Sequence, residues 1–160
     1  MKHNIPPVYD ESSRVLILGS FPSVRSREAE FFYGHPKNRF WRVLASVMEE
    51  SLPTDTDEKK KLLLDHGIAL WDVIFSCDVT GSSDASIKNA VPNDLSLILD
   101  KADIRMIFVN GKTAKQYYDR YLKKVTGIEA VCLPSTSPAN AAWSADRLCE
   151  AWGVIKAYCR

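Results

Sequence analysis

Several features that define whole classes of protein are absent from this chain of 160 residues. The longest apolar runs, such as 15–18 and 106–109, are too short to span a bilayer. The first seven residues contain no apolar signal core, so we expect neither membrane insertion nor export. The four cysteines form no C-x-x-C pair, which disfavours a zinc or iron–sulfur site and fits a reducing, cytoplasmic compartment.

The signatures of four enzyme classes are missing as well. No G-x-S-x-G elbow accompanies the three histidines, which disfavours a Ser–His–acid hydrolase. The stretch N-G-K-T at 110–113 resembles the end of a phosphate loop, but Met106 occupies the place of the required first glycine. Neither G-x-G-x-x-G nor the paired motifs of a zinc deaminase occur. We therefore expect no cofactor and no metal.

The composition, 46% hydrophobic and 26% charged, is that of an ordinary folded domain. Short apolar or β-branched runs predict four strands, at 14–20, 69–76, 104–110 and 128–133. Between and after them, the segments 38–50, 55–64, 93–101, 112–124 and 139–158 have the periodicity or the capping residues of helices. Nearly continuous apolar strands that alternate with helices are typical of a parallel sheet covered on both faces. We expect one domain over 1–160 with an α/β fold, a three-layer α/β/α sandwich around a central four-stranded parallel sheet.

Charge is segregated along the chain although the net charge is only +1. Residues 14–42 sum to +4 and residues 101–124 to +5, whereas 49–66 and 72–100 are acidic. This segregation predicts that the basic stretches share one face that binds a polyanion. Chance clustering of solvated helix faces would produce the same sums.

Small and hydrogen-bonding residues are concentrated where the predicted strands end, which is where an open parallel sheet binds its ligand. The aromatic-rich segment 30–41 adds to this edge. Its Phe40 and Trp41 fit a buried helix face, and Tyr33 is the better candidate for a ligand-facing ring. Asn38 fits a helix N-cap, a position that does not preclude a catalytic role.

Five blocks together carry a family resemblance, in order and over residues 14–158. Two of them, G-S-F-P-S (19–23) and Y-G-H-P-K-N-R-F-W (33–41), are called the first motif, and S-T-S-P-A-N-A (135–141) is called the second motif. The other two blocks read L-W-D-V-I-F-S-C (70–77) and N-G-K (110–112). The combination resembles the uracil-DNA glycosylase superfamily, most closely its DNA-deoxyinosine (hypoxanthine-DNA) glycosylase family. The resemblance implies a monofunctional, monomeric enzyme that excises deaminated bases from single- or double-stranded DNA in base-excision repair. We would expect it beside the nucleoid of a prokaryotic cell.

The resemblance also implies roles for individual residues. Phe21 stands where most relatives have a polar residue that holds the attacking water, so the catalytic role passes to Asn38, whose carbonyl would orient water below C1′. The flipped base would contact Phe21, Tyr33 and Asn110. The predicted DNA-binding residues are Ser20, Ser23, Arg25, Lys37, Arg39, Lys112, Ser135, Ser137, Pro138, Ala139 and Asn140.

Two alternatives stay open from the sequence. A uracil or G:U/T mismatch glycosylase would share the same fold, because hypoxanthine and uracil present a common carbonyl and ring N–H. A non-catalytic DNA-binding module is an alternative of a different class, in which Asn38 only caps a helix and Asn110 only precedes a turn at Gly111.

Overall fold

A computed structural model of the chain describes residues 5–22, 24–29, 31–78 and 87–160, without the side chains of Val24, Arg25 and Ala29. The strands are β1 (Val15–Gly19), β2 (Ile68–Asp72), β3 (Ile74–Asp78), β4 (Lys88–Pro92), β5 (Met106–Asn110) and β6 (Ala130–Leu133). The helices are α1 (Val24–Ala29), α2 (Phe40–Val47), α3 (Thr56–Asp65), α4 (Ser96–Leu99), α5 (Lys112–Tyr121), α6 (Lys123–Thr126) and α7 (Ala145–Trp152), followed by a 3₁₀ segment (Gly153–Tyr158).

The central sheet has four parallel strands in the order β2-β1-β5-β6, which confirms the predicted fold class. Every residue of β1 and β2 is buried, as continuous apolar runs require when helices cover a sheet. Helix α3 packs against β2, and α5 packs against β5 and β6. The register aligns Gly19 with Asp72 and Asn110 with Leu133, so the carboxyl ends of all four strands meet at one edge.

The strand predicted over 69–76 is two strands, so that prediction was wrong in its extent. β2 ends at Asp72, and β3 leaves the central sheet to pair antiparallel with β4. The turn is fixed by Val73 N–H, which donates to Gly19 O at 2.8 Å, and by the Asn93 amide, which donates to Asp72 O at 2.8 Å. The carboxyl end of this strand is therefore Asp72, and not Ser76, where the predicted strand ended.

The predicted helices are present, and all but the one expected over 55–64 are shorter or interrupted. The helix expected over 139–158 begins only at Ala145, because the Ser144 hydroxyl accepts a hydrogen bond from Arg147 N–H and caps it there. Trp143 therefore lies in the preceding loop. The segments predicted over 38–50, 55–64, 93–101 and 112–124 form α2, α3, the single turn α4, and the pair α5 and α6.

Aromatic side chains anchor the segments on either side of the sheet's carboxyl edge. Phe40 and Trp41 are buried, as predicted, and the Phe40 ring meets the rings of Trp41 and Trp152 edge-on. Trp41 Nε1 donates to Phe32 O at 3.1 Å, and Trp152 Nε1 donates to Pro134 O at 2.9 Å. Trp41 thus fixes the backbone of the loop before α2, and Trp152 fixes the backbone of the loop that follows β6.

Within the described part of the chain, none of the helices is long and apolar enough to cross a membrane.

Candidate active site

Three segments far apart in sequence meet at the carboxyl edge of the sheet. Asn38 comes just before α2, Asn110 ends β5, and Thr136 lies in the loop that follows β6. Asn110 Nδ2 donates to Thr136 Oγ1 at 3.0 Å, and Thr136 N–H donates to Asn110 Oδ1 at 3.0 Å. Thr136 Oγ1 in turn donates to Asn38 Oδ1 at 2.8 Å. The two asparagines that the sequence singled out therefore lie on either side of one threonine, which the sequence did not single out.

The orientation of the Asn38 amide follows from its partners. Its Oδ1 accepts hydrogen bonds from Phe40 N–H at 3.0 Å and from Thr136 Oγ1, so both lone pairs of this oxygen are used. Its Nδ2 donates to none of the residues that the structure describes. Arg39 occupies the N-cap position of α2, but the Asn38 side chain bonds the first helical N–H and so contributes to capping as well.

Arg39, predicted to contact DNA phosphates, has its guanidinium inside the loop that follows β6. Its Nη2 donates to Ser137 O at 2.9 Å and to Asn140 O at 3.1 Å, and its Nη1 donates to Trp143 O. Its backbone N–H donates to Thr136 O at 3.1 Å. Successive residues of the first motif, Asn38 and Arg39, thus both hold the second motif.

The loop that follows β6 is also braced by its own side chains. Ser135 Oγ accepts from Ser137 N–H at 3.1 Å, and Ser137 Oγ accepts from Ala139 N–H at 3.2 Å. Asn140 Nδ2 donates to Ser135 O at 3.0 Å. Pro138 and Ala139 are exposed, so this rigid loop presents them at its tip.

The two aromatic residues predicted to contact the base are half-buried, and each has a neighbour against its ring. The Tyr33 ring stacks on Phe40 with 4.2 Å between centroids, and its backbone has φ of 53°, a left-handed conformation that an aromatic residue rarely adopts. The Arg27 guanidinium lies 5.3 Å from the centroid of the Phe21 ring. A base bound at either ring would therefore meet a ring held in place from the protein side.

A carboxylate that the sequence analysis missed lies beneath the first motif. Asp72 is only 3% exposed, and a methyl group placed on Gly19 would lie 2.4 Å from its Oδ1. The same methyl would lie 2.8 Å from the Tyr33 hydroxyl, which is itself buried. Glycine is required at position 19 because Asp72 and Tyr33 converge on it. The register of the parallel strands, which sets Asp72 beside Gly19, is the only signal that could have identified this carboxylate.

A cavity of about 570 Å³ lies beside the carboxyl ends of β5 and β6, where Gly111 and Leu133 line it. Its lining includes Lys112, Ser135, Ser137, Asn140 and Trp143. Gly111, which also lines it, has φ of 97°, and an added methyl would lie 3.1 Å from the Cβ of Ser135.

The basic stretches do not all face the site, so the prediction that they share one face was wrong. Arg14 and Arg105 directly precede β1 and β5, which places them at the amino edge of the sheet. Lys115 and Lys123 pair with Glu129, and the hydrogen bond from Lys123 is the main cause that lowers the pKa of this carboxyl.

Two of the predicted phosphate ligands, Lys37 and Lys112, are exposed at the carboxyl edge. Ser20 lies there too, half-buried, directly after β1. Ser23 and the side chain of Arg25 lie outside the described part of the chain. Among the residues that the structure describes, no three His, Cys, Asp or Glu side chains are grouped so as to hold a metal ion.

Comparison with known proteins matches the chain to one protein family. The family model for the uracil DNA glycosylase superfamily matches residues 6–156. A protein of Methanosarcina acetivorans named hypoxanthine DNA glycosylase is 38% identical over 97% of this chain and 98% of its own. A protein of the same name from Methanosarcina barkeri is 36% identical over 87% and 88% of the two chains.

A solved structure gives the same relationship at the level of the fold. A solution NMR structure of a candidate uracil DNA glycosylase from Methanosarcina acetivorans superimposes with a TM-score of 0.83. The two chains are 34% identical, and the match covers 98% of each.

Proposed function

Because this chain belongs to the uracil DNA glycosylase superfamily, as a monofunctional DNA glycosylase, we propose that its substrate is hypoxanthine in DNA. Two relatives that bear the name hypoxanthine DNA glycosylase support this substrate. The structural observation that carries the mechanism is the convergence of Asn38 and Asn110 on Thr136 at the carboxyl edge of the sheet. The role of the protein in base-excision repair follows from this activity.

Asn38 positions the water that attacks C1′. An amide is too weak a base to deprotonate water, so its contribution is orientation. Because Oδ1 already accepts two hydrogen bonds, we assign the contact with water to Nδ2, which donates to the water oxygen. This revises the expectation that the carbonyl orients the water. A C1′–O bond forms while the glycosidic bond breaks with its electron pair on the base, and the proton lost by water ends on the released base.

Asn110 reads the base through the half of its amide that Thr136 leaves available. Thr136 uses one N–H and one oxygen lone pair, so one donor and one acceptor remain. They point to opposite sides of the amide, because Thr136 occupies the edge on which a donor and an acceptor lie side by side, so the remaining N–H alone donates to the carbonyl of hypoxanthine and stabilises negative charge on the departing base. Adenine has an amino group in place of this carbonyl, so the same contact rejects it. The flipped base stacks on Tyr33 or Phe21.

DNA is held by the exposed part of the same edge. Lys37 and Lys112 neutralise phosphates, and the loop tip at Pro138 and Ala139 enters the space that the flipped nucleotide leaves. The tip suits this task because Arg39 and the loop's own serines hold its backbone rigid before DNA arrives.

The test uses oligonucleotides with one hypoxanthine, uracil, xanthine or mismatched thymine, as single strands and duplexes, with abasic sites revealed by alkaline cleavage. We expect the fastest cleavage at hypoxanthine and a rate lower by about 100-fold or more with Asn38→Ala. Borohydride should trap no covalent adduct, because water and not a lysine is the nucleophile. Cleavage at uracil alone would instead favour the uracil enzyme. If no lesion were cleaved, the chain would be a binding module.

A further inference from the structure

Thr136 is the residue on which both site amides depend, although it lies between two serines that are more exposed. Its side chain is fully buried, whereas Ser135 and Ser137 are half-exposed. It makes four hydrogen bonds, with Asn110 through its N–H and Oγ1, with Asn38 through Oγ1, and with Arg39 N–H through its carbonyl. A residue with these contacts cannot reach a ligand directly.

The direction of each hydrogen bond in this chain is fixed by chemistry. Asn110 Nδ2 can only donate, so Thr136 Oγ1 accepts from it. Asn38 Oδ1 can only accept, so the single hydroxyl proton of Thr136 points to Asn38. Asn110 Oδ1 must be the atom that faces the Thr136 N–H. Neither amide can rotate by 180° without setting two donors or two acceptors against each other.

We infer that Thr136 is a positioning residue, which orients the Asn38 and Asn110 amides through one directional hydrogen-bond chain, Asn110 Nδ2–H to Thr136 Oγ1–H to Asn38 Oδ1. This inference deepens the proposed function and rests on it. It explains how the first and second motifs, 98 residues apart in sequence, act together: the hydroxyl turns Asn38 Oδ1 inward and leaves Nδ2 for the water. The same hydroxyl holds the Asn110 amide in the orientation that offers its second N–H to the base.

The test removes the hydroxyl without changing the side-chain shape. Thr136→Val should lower the single-turnover rate on a hypoxanthine duplex by about 10- to 100-fold, the scale on which a misplaced catalytic group reduces rate. Thr136→Ser keeps the hydroxyl and should stay within about threefold of wild type. Affinity for undamaged duplex should be unchanged in both. Thr126→Val is a matched control, because it removes another threonine hydroxyl, bonded to Tyr118, far from the site; it should keep the full rate.

A double-mutant cycle separates positioning from a general structural effect. If Thr136 acts on the chemical step partly through Asn38, Thr136→Val should lower the rate clearly less in an Asn38→Ala background than in wild type, and the loss that remains there is the part that acts through Asn110. A loss in that background equal to the loss in wild type would overturn the inference, as would a wild-type rate for Thr136→Val or failure of serine to rescue. Thr136→Ala provides a second hydroxyl deletion if the valine variant does not fold.

A spectroscopic measurement tests the same point without any activity. The side-chain amide resonances of Asn38 and Asn110 should both shift in Thr136→Val and remain in place in Thr126→Val. Unchanged amide resonances in the valine variant would refute the inference even if the enzyme excised hypoxanthine. Shifted resonances in a protein that cleaved no lesion would leave the positioning role standing and refute the proposed function instead.

Discussion

Replacing Arg39 by methionine distinguishes two roles for a cation that lies in a proposed DNA-binding motif. Methionine keeps an unbranched apolar stem and removes the guanidinium. The side chain of Arg39 donates to three backbone carbonyls, and hydrogen bonds to a charged group contribute about 1.5–3 kcal/mol each in a protected setting. Because Arg39 is only half-buried and water can partly replace these contacts, we take for each the value of about 1 kcal/mol typical of an ordinary hydrogen bond and expect the free energy of unfolding to fall by roughly 3 kcal/mol.

That loss corresponds to a measurable change in thermal stability. For a domain of this size, each kcal/mol lowers the melting temperature by about 2–4 °C, so Arg39→Met should lower it by roughly 6–12 °C. Arg39→Lys should recover little of this, because a single ammonium cannot bond three carbonyls that a planar guanidinium reaches together. The comparison variant is Lys112→Met, which removes an exposed cation at the same edge and should melt close to wild type.

The salt dependence of DNA binding provides the second measurement. Each phosphate contact contributes about 0.9 to the slope of log K against log salt concentration. Lys112→Met should reduce the slope by about that amount, whereas Arg39→Met should leave it nearly unchanged even if the loosened loop weakens binding. A slope reduced by about 0.9 in Arg39→Met, with no change in melting temperature, would refute the loop-bracing role and restore the phosphate contact.

Three further substitutions test the assignments around the base and the water. Asn38→Ala should reduce the single-turnover rate by about 100-fold or more. Asn38→Asp should reduce the rate nearly as much, because a carboxylate has no N–H to donate to the water. A rate for Asn38→Asp well above that of Asn38→Ala would show that an acceptor holds the water. Tyr33→Ala should lose activity on every lesion, since stacking is worth roughly 1–3 kcal/mol, while Tyr33→Phe should be mild; equal losses would assign the function to the hydroxyl beside Asp72. Gly19→Ala should displace Asp72 or Tyr33 and slow excision, and a normal rate would show that the site tolerates this movement.

The sheet was predictable because its strands are buried on both faces. Continuous apolar runs such as 15–18 have little alternative to a parallel sheet covered by helices. The split at Val73 was not predictable, because apolar character continues into β3 and the chain is turned by long-range hydrogen bonds, from Val73 N–H to Gly19 and from the Asn93 amide to Asp72. The late start of α7 has a local signal in its cap Ser144, whereas the contacts of Arg39 and Trp152 that hold the preceding loop leave no trace in local propensity.

The residues of the candidate site could be selected from the sequence, whereas the hydrogen bonds between them could not. Asn38 and Asn110 stand out as polar side chains at a helix start and a strand end, and the structure brings them together. Arg39 was assigned to phosphates because a sequence does not reveal that the guanidinium already donates its hydrogen bonds to backbone carbonyls. The S-T-S run did contain a signal: in extended backbone the middle residue points away from its two neighbours, so half-exposed serines at 135 and 137 imply a buried threonine between them.

Asn110→Asp tests whether the base-reading amide and the water-positioning amide are coupled. The introduced carboxylate can still accept from Thr136 N–H, but its second oxygen now faces Thr136 Oγ1, which had been accepting a hydrogen bond there. The threonine has one hydroxyl proton, so it can donate to the new carboxylate or to Asn38 but not to both. A charged acceptor binds the proton more strongly than an amide oxygen does, so Asn38 loses its bond.

We therefore expect Asn110→Asp to fail in two ways at once. Hypoxanthine and uracil should both react slowly because the variant lacks the N–H that Asn110 donates to the base. The chemical step should slow further because the Asn38 amide loses its hydrogen bond from Thr136. Affinity for undamaged duplex should remain, since Lys37 and Lys112 are unaffected. The coupling appears as a smaller effect of Asn110→Asp in a Thr136→Val background than in wild type. Equal effects in the two backgrounds would mean that Asn110 acts on the base alone, and full activity in the single variant would mean that the base is read elsewhere.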